Sequence, residues 1–211
     1  MLTRRSFCGR LVGGALGAGL GCSRGEAARV AIALLPLAPA PSAAEIAAAR
    51  SYVRELFSIE LLLLGGLPLS ASAQTAPRDR HRADLLLREL AARRPARAAK
   101  ILGVTAGDIS TTKGEHADWG VFGLSELGGS AAVVSAFRLR RAARDASHAS
   151  ERFARVCAHE LGHAFGSPHC AAHRCLMADA RGSVRAIDRA EGFCAQTHAV
   201  LGARGAPLPS R

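Results

Sequence analysis

Three histidines and one glutamate stand close together in the last third of the sequence, at spacings that suit metal-assisted hydrolysis. They occur in the segment His159-Glu160-Leu161-Gly162-His163-Ala164-Phe165-Gly166-Ser167-Pro168-His169. On a helix, residues four positions apart lie one above the other, so His159 and His163 can direct their imidazoles at one ion. Gly166 permits a sharp turn that brings His169 back as a third ligand. Three nitrogen ligands leave one position of a tetrahedral zinc ion open, which is typical of a catalytic site.

Glu160 lies one position further round the helix than His159. It is too far round to join the histidines as a ligand, but it can reach a water molecule held by the metal. Zinc lowers the pKa of such a water to about 7, and Glu160 would accept its proton and later pass it to a leaving amine. A peptide bond is the substrate that suits this arrangement. The residues therefore predict a zinc peptidase acting on a peptide or protein.

The extended motif, with Met177 eight residues after His169, resembles the metzincin signature. Further details are similar to the archaemetzincin (archaelysin) family: His169-Cys170, Cys175-Leu176-Met177, Phe193-Cys194, and upstream the segments 101–105, 121–123 and 132–135 with Arg138-Leu139. The likeness covers roughly residues 30–200. It implies that His159, His163 and His169 bind the catalytic zinc and that Glu160 is the general base. It also implies that Met177 forms an apolar turn beneath the metal and is not a ligand.

The family also carries a second, structural zinc on four cysteines, and here the sequence departs from the pattern. Three cysteines match family positions: Cys170, Cys175 and Cys194. The fourth position falls at Thr197, with His198 adjacent and His173 nearby. A site of three cysteines and one histidine, with His198 as the candidate fourth ligand, is compatible with zinc chemistry. Cys157 is expected on the buried side of the helix and not as a ligand. A second zinc, a disulfide formed in an oxidising compartment and a decayed site all stay open.

The first residues carry an export pattern. Thr3-Arg4-Arg5-Ser6-Phe7 resembles a twin-arginine signal, and the apolar run 11–20 behind it is too short for a permanent membrane helix. Cys22 follows an imperfect lipobox, so lipidation and simple cleavage nearby are both open. We expect residues 1–22 to be an export signal and the protein to be periplasmic or extracellular, with membrane attachment only through a lipid on Cys22. The alternative is that Arg4-Arg5 is an ordinary pair in an arginine-rich chain.

Composition limits the remaining functions. The formal net charge is +11, and of the 28 basic residues only Lys100 and Lys113 are lysines. The arginines are scattered through alanine-rich helical segments without aromatic neighbours, so we expect solvated helix faces and no nucleic-acid partner. Hydrophobic residues make up 49% of the chain, enough for one domain at 28–205 that is expected to be a monomer.

Apolar periodicity predicts alternating strands and helices ahead of the metal motif. Strands are expected at residues 29–37, 58–64, 100–105, 121–124 and 131–139, helices at 42–57, 78–94, 150–166 and 183–199, and loops at 67–77 and 107–120. Ser42 and Glu45 have the spacing of a capping box. The predicted fold class is α/β (α+β): a zincin-like domain with a mixed sheet, helices against it and an active-site helix in the cleft floor. An edge strand is expected to pair with an extended substrate.

Two functional alternatives stay open. No subsite for a free amine is evident, so endopeptidase and aminopeptidase are not separated. A catalytically inactive zinc-binding or interaction protein that keeps the fold is the other alternative, although the presence of Glu160 argues against it. Asp108, His116 and His148 are assigned no role, and His148 is expected just ahead of the active-site helix.

Overall fold

The computed structural model describes residues 29–75 and 79–210. The predicted export signal at residues 1–22, including Cys22, lies outside the described residues. Within the described ranges, no helix is both long and apolar enough to cross a bilayer.

Strands and helices both precede the metal motif, as the sequence pattern predicts, but most of the strands come in runs and three helices follow one another at the end of the described chain. The strands are β1 (Val30–Ala38), β2 (Ile59–Leu63), β3 (Leu67–Pro68), β4 (Gln74–Thr75), β5 (Arg80–Arg82), β6 (Ala98–Thr105), β7 (Ile109–Lys113), β8 (His116–Val121), β9 (Gly123–Ser125) and β10 (Ala131–Ser135). The α-helices are α1 (Ala43–Leu56), α2 (Ala83–Arg93), α3 (Ala146–Ala164), α4 (Val184–Arg189) and α5 (Ala195–Ala203).

The larger sheet has the strand order β2-β1-β6-β10-β9, with β3 pairing beside the end of β1. All of its pairings are parallel except that of β9, which runs antiparallel to β10. The sheet is therefore mixed, and the predicted α/β (α+β) class is confirmed. β9 lies at the edge of this sheet, next to the active-site helix.

Helices cover both faces of the larger sheet, which explains why β1 is apolar at almost every position. Ile32 and Leu34 pack with α1 and α3 in one core, while Ala33 and Leu35 pack with α2 in a second core. Because successive side chains of a strand point to opposite faces, one uninterrupted apolar run supplies both cores.

The first helix begins as the sequence predicts. The Ser42 hydroxyl accepts a hydrogen bond from the Glu45 amide at 3.2 Å, and the Glu45 carboxylate accepts one from the Ser42 amide at 2.7 Å. This capping box satisfies two amides that the helix itself leaves without a partner. Arg140 also donates two hydrogen bonds to Glu45, so α1 is joined to the segment that follows β10.

The prediction of a loop at 107–120 is wrong. β7 and β8 form an antiparallel hairpin within a smaller sheet of order β4-β5-β7-β8, and Gly114 turns the hairpin with a φ of 57°. Several hairpin residues are exposed, so alternation of apolar and polar residues is weak there. Asp108 has a structural role at its base, where it accepts hydrogen bonds from Arg138 and Arg80.

Other predicted boundaries also shift. The expected helix 78–94 begins only at Ala83, because residues Arg80–Arg82 pair as β5, and the strand expected at 131–139 ends at Ser135. The single helix expected at 183–199 is two helices, α4 and α5, separated by a segment in which Gly192 has a φ of 149°. A glycine in that conformation breaks a helix, which frees Cys194 to turn towards the other cysteines.

Arg152 joins the active-site helix to α4. Its guanidinium donates to both carboxylate oxygens of Asp188, each at 2.7 Å, and to the carbonyls of Leu139 and Arg141. His148 lies in the first turn of α3, not ahead of it as expected, and its Nε2 also donates to Asp188, because its Nδ1 accepts from a backbone amide. The Arg152 hydrogen bonds hold the pKa of Asp188 at about 2.

Replacing Arg152 with methionine is expected to lower the free energy of unfolding by about 3 kcal/mol at pH 7, because Asp188 loses its buried partner. The lowered pKa of Asp188 means that the stabilisation is complete above pH 4 and disappears as the pH falls through about 2. Urea denaturation of both proteins at pH 7, 4 and 2.5 measures the difference. Arg185→Met, at an exposed position of α4, is the control. A difference that does not shrink in acid would contradict this role for the ion pair.

Candidate active site

The active-site helix α3 begins at Ala146 and carries the first two predicted ligands near its end. Its N-cap is Asp145, whose carboxylate accepts from the His148 amide at 2.8 Å. His159 and His163 lie one turn apart on the cleft face, with Nε2 atoms 3.0 Å from each other. The predicted spacing of four residues thus brings both rings to one point.

The third histidine returns to the same point after the helix ends. Gly166 has a φ of 94°, and its amide donates to the His163 carbonyl as the chain reverses. The Nε2 atom of His169 lies 3.2 Å from that of His163. The structure therefore brings together all three predicted ligands, with ligand atoms within 4.8 Å of one another.

Hydrogen bonds decide which ring nitrogens of these histidines carry protons. His159 Nδ1 lies 2.7 Å from the Leu176 carbonyl, and His163 Nδ1 lies 2.8 Å from the Ser167 carbonyl. A carbonyl only accepts, so each Nδ1 carries the proton and each Nε2 of a neutral ring presents a lone pair. Burial lowers the pKa of both rings, that of His159 to about 4, which keeps them neutral.

This donor set fits a zinc ion. Two unprotonated Nε2 atoms 3.0 Å apart repel each other unless a cation lies between them. Zinc–nitrogen bonds of about 2.0–2.1 Å in a tetrahedron place two nitrogens about 3.3 Å apart, close to the separations seen here. The carbonyls that hold each Nδ1 are the outer partners that fix ring orientation in zinc sites.

Glu160 is buried at the edge of the same cleft. Its burial raises its pKa to about 8, and a nearby divalent cation would lower it again by stabilising the carboxylate. The carboxylate packs against the backbone of Gly123 in β9. A Cβ atom at that position would lie 2.7 Å from Glu160 Oε1, so the absence of a side chain there makes room for the carboxylate.

Met177 is fully buried and packs against α3. Its sulfur occupies the space beside Gly162 of α3, where a Cβ atom would lie 2.5 Å from Sδ. The preceding carbonyl, that of Leu176, is the one that holds His159. Met177 therefore packs against the part of α3 between His159 and His163, and its role as an apolar floor of the metal site stays a prediction.

The three cysteines predicted for a second metal also come together. Cys170, Cys175 and Cys194 place their sulfurs within 4.8 Å of one another, and the Cys170–Cys194 separation is 3.6 Å. These three and Cys157 are all free thiols in the structure. Cys157 lies buried in the core away from this group.

The fourth position of the cysteine group is occupied by Thr197. Its hydroxyl lies 3.1 Å from Cys175 Sγ and 3.5 Å from Cys194 Sγ. Hydrogen bonding from Thr197 lowers the pKa of Cys194 to about 6, which favours the thiolate. Neither His198 nor His173 is part of the group, so the structure does not bring together the predicted three-cysteine, one-histidine set.

A cleft of about 520 Å³ opens in front of the histidines. One side is formed by β8 and β9, and the other by the segment from Cys175 to Ala190, including α4. Asp179 and Lys113 lie at the cleft, while His116 belongs to β8 and stacks near Trp119 at a ring separation of 5.3 Å. The structure therefore places the three histidines and Glu160 in the wall of a cavity large enough for several residues of a peptide.

Comparison with known proteins agrees with this geometry. The sequence profile of peptidase family M54 matches residues 82–202, more than half of the chain. An archaemetzincin from Archaeoglobus fulgidus is 36% identical over 141 residues, which are 66% of this chain and 80% of that relative. The chain belongs to peptidase family M54, the archaemetzincins.

Solved archaemetzincin structures show the same fold. The crystal structure of the A. fulgidus archaemetzincin, complexed with malonate, has a TM-score of 0.68 and 31% identity, and covers 81% of this chain and 99% of its own. A zinc-dependent peptidase from Methanocorpusculum labreanum has a TM-score of 0.67 and 25% identity, with the same coverage of 81% and 99%. The predicted family, zincin-like fold and enzyme class are confirmed: this archaemetzincin is a zinc metallopeptidase.

Sequence reasoning overlooked several residues of this archaemetzincin's cleft. Arg155 lines it one turn ahead of His159, and the four-residue spacing was a usable signal because it places both on one helix face. Asp179 and Gly123 carry no such local signal, since only the tertiary fold brings them to the histidines and to Glu160.

Replacing Gly123 with alanine is expected to lower the peptidase kcat by about 100-fold, because the new methyl group displaces the Glu160 carboxylate by up to an ångström. Steady-state kinetics together with zinc content measures the effect. Gly65→Ala, where an added Cβ meets no atom within 4 Å, is the matched control. An unchanged kcat in Gly123→Ala would show that catalysis does not depend on the position of the Glu160 carboxylate beside Gly123.

Proposed function

We propose that this archaemetzincin hydrolyses peptide bonds with zinc held by His159, His163 and His169 and with Glu160 as the general base. The observation that carries the proposal is the convergence of three imidazole Nε2 atoms beside one buried carboxylate, with the Nε2 lone pairs of His159 and His163 freed by the carbonyls that hold each Nδ1. A purely structural zinc site does not need a carboxylate buried beside its ligands. Burial of Glu160 without a cation beside it disfavours its charged form.

Bound zinc would polarise the scissile carbonyl and acidify the attacking water. Glu160 accepts the proton of that water and later delivers it to the departing amine nitrogen. The Leu176 and Ser167 carbonyls keep His159 and His163 in the tautomer that leaves Nε2 free. Burial of Glu160 limits the access of bulk water to its carboxylate.

We further propose that the substrate binds in extended form along β9. This strand is at the edge of the larger sheet, and Gly123, Leu124 and Ser125 all line the cleft. An edge strand offers unpaired backbone groups that an extended peptide can pair with. Replacing one backbone amide of a cleaved peptide with an ester is expected to weaken turnover, and equal turnover would argue against strand pairing.

The second zinc and the cellular location are also proposals. The three thiols with the Thr197 hydroxyl supply a donor set that suits a second, structural ion, although hydroxyl is a poorer zinc ligand than thiolate. Export through a twin-arginine signal at residues 1–22 is supported by the Thr3–Phe7 pattern, with lipidation or cleavage near Cys22 both open. Fractionation of cells that express the chain with Arg4 and Arg5 both changed to lysine tests export.

The direct test of the proposed function is incubation of zinc-loaded protein with a broad peptide library, followed by mass spectrometry. Cleavage that a chelator abolishes and zinc restores is the expected result. Cutting inside N-acetylated peptides identifies an endopeptidase, and a requirement for a free N-terminus identifies an aminopeptidase. No cleavage of any member by fully metallated protein would favour a zinc-binding or interaction protein that keeps the fold.

A further inference from the structure

One guanidinium lies in the otherwise mainly apolar inner wall of the cleft. Arg155 of α3 lines the cavity together with Val156, Leu176, Ile187 and Ala190. It is one turn ahead of His159, about 6 Å along the helix axis, and therefore on the same face as the zinc ligands. Its side chain is 23% exposed, so it is partly shielded from water while still open to the cavity.

The charge of Arg155 is weakly compensated within the described part of the chain. Its acidic contact is Glu151, at 3.8 Å, and that carboxylate is 51% exposed. An ion pair that long and that exposed contributes little. Tyr52, whose pKa burial raises, lies within electrostatic reach of the guanidinium but carries no charge at neutral pH. By contrast, Arg152 donates two hydrogen bonds to the Asp188 carboxylate, which neutralises its charge.

The acidic groups near Arg155 do not cancel its charge. Arg155 and Ala190 also line a second cavity of about 480 Å³, in which Arg174 and Arg189 lie. The acidic groups there are paired with other arginines: Asp188 accepts from Arg152, and Glu191 pairs with Arg174. These carboxylates therefore leave the charge of Arg155 uncancelled, in a chain whose net charge is already +11.

We propose that Arg155 is a specificity-determining residue, which selects substrates with an acidic side chain next to the scissile bond. This inference rests on the proposed peptidase function. A glutamate side chain that enters between α3 and α4 passes the apolar wall and meets the guanidinium, which has donors in the geometry that a carboxylate accepts two at a time. Discrimination against the isosteric glutamine follows, since an amide leaves the charge of Arg155 unmatched.

Binding, and not turnover, is the better test, because it does not depend on catalysis. Hydroxamates chelate zinc, so peptide hydroxamates can serve as the ligands. Each matched pair consists of one compound with a glutamate side chain and one with a glutamine side chain at the same position. In the first pair this side chain is on one side of the chelating group, and in the second pair it is on the other side. Calorimetry with zinc-loaded protein gives the affinity ratio within each pair. We expect the wild type to bind the glutamate form at least about tenfold more tightly in one pair.

Two substitutions at Arg155 and one control separate recognition from structure. Arg155→Met keeps the length of the side chain and is expected to bring the ratio to about one, while Arg155→Glu should invert it. Arg181→Met removes a cleft-lining but 86% exposed charge and should leave the ratio unchanged. A merely structural role would weaken both members of a pair equally.

A wild-type ratio near one in both pairs would overturn the inference, whether or not the variants fold. Failure of the protein to bind any hydroxamate would overturn it as well, together with the metal site. A retained tenfold ratio in a protein that cleaves no peptide would refute the proposed function and leave Arg155 only as a residue that binds carboxylates beside the metal site. Zinc content and melting temperature, measured for each variant, identify any that have lost the fold.

Discussion

Zinc-loaded protein with Glu160→Gln is expected to cleave peptides with a kcat lower by about 10²–10⁴-fold, the contribution typical of a positioned general base. Glutamine has nearly the same shape as glutamate and fits the space beside Gly123, but it cannot accept the proton of the attacking water. The zinc content should stay at the wild-type level, because Glu160 is not among the grouped ligand atoms. Steady-state kinetics and elemental analysis of the same preparation measure both quantities.

The matched control for this prediction is Glu60→Gln. Glu60 is exposed in β2, at the opposite edge of the larger sheet from β9, so its loss changes the charge of the protein equally without touching the cleft. Its kcat should lie within a factor of two or so of the wild type, as for a typical surface substitution. Full activity of Glu160→Gln would rule out the general-base role, and loss of zinc from it would mean that the carboxylate helps to hold the metal.

Cys175→Ser is expected to reduce the zinc content from two ions per chain to one. Cys175 is the most buried of the three grouped thiols, and its sulfur contacts both the Thr197 hydroxyl and the Cys194 amide. Without it, two thiols remain, too few for a closed structural site. A structural ion at a thousandfold excess over its Kd stabilises the fold by about 4 kcal/mol, so thermal unfolding should move to lower temperature.

Two further variants sharpen that measurement. Thr197→Cys should slow zinc release to a competing chelator, because it places a fourth thiol where the hydroxyl now lies 3.1 Å from Cys175. Cys157→Ser should keep both ions, since Cys157 is buried in the core and apart from the group. One zinc in the wild type and in Cys175→Ser alike would leave only the histidine site and mark the cysteine group as metal-free.

The features that were correctly predicted depend on neighbours in the sequence. The capping box of Ser42 and Glu45 spans one helical turn, and the His159–His163 pair follows from helical periodicity alone. Even the return of His169 depends on a single local property, the left-handed conformation available to Gly166. Interactions within a few residues leave a pattern in the sequence, and that pattern was sufficient for the candidate metal site.

The features that were missed depend on residues far apart in the chain. The β7–β8 hairpin is held by pairing with β5 and by Asp108, which binds arginines 28 and 30 residues away. The break between α4 and α5 lets Cys194 turn towards the other cysteines. It also determines which residue of α5 faces Cys175. Successive helical residues point about 100° apart, so Thr197 faces the thiols and His198 does not. No pattern among neighbouring residues predicts the hairpin or the orientation of Thr197 and His198.

β9 is placed to affect both substrate alignment and the position of Glu160. The same three-residue strand that would align an extended peptide also leaves, at Gly123, the room that Glu160 occupies. It is secured by pairing with β10, including a hydrogen bond from the Ser125 hydroxyl to the Ala131 carbonyl. On the proposed mechanism, any drift of β9 would misalign the scissile bond and the Glu160 carboxylate by the same displacement. A new cleavage preference that evolved through β9 would then alter KM and kcat together.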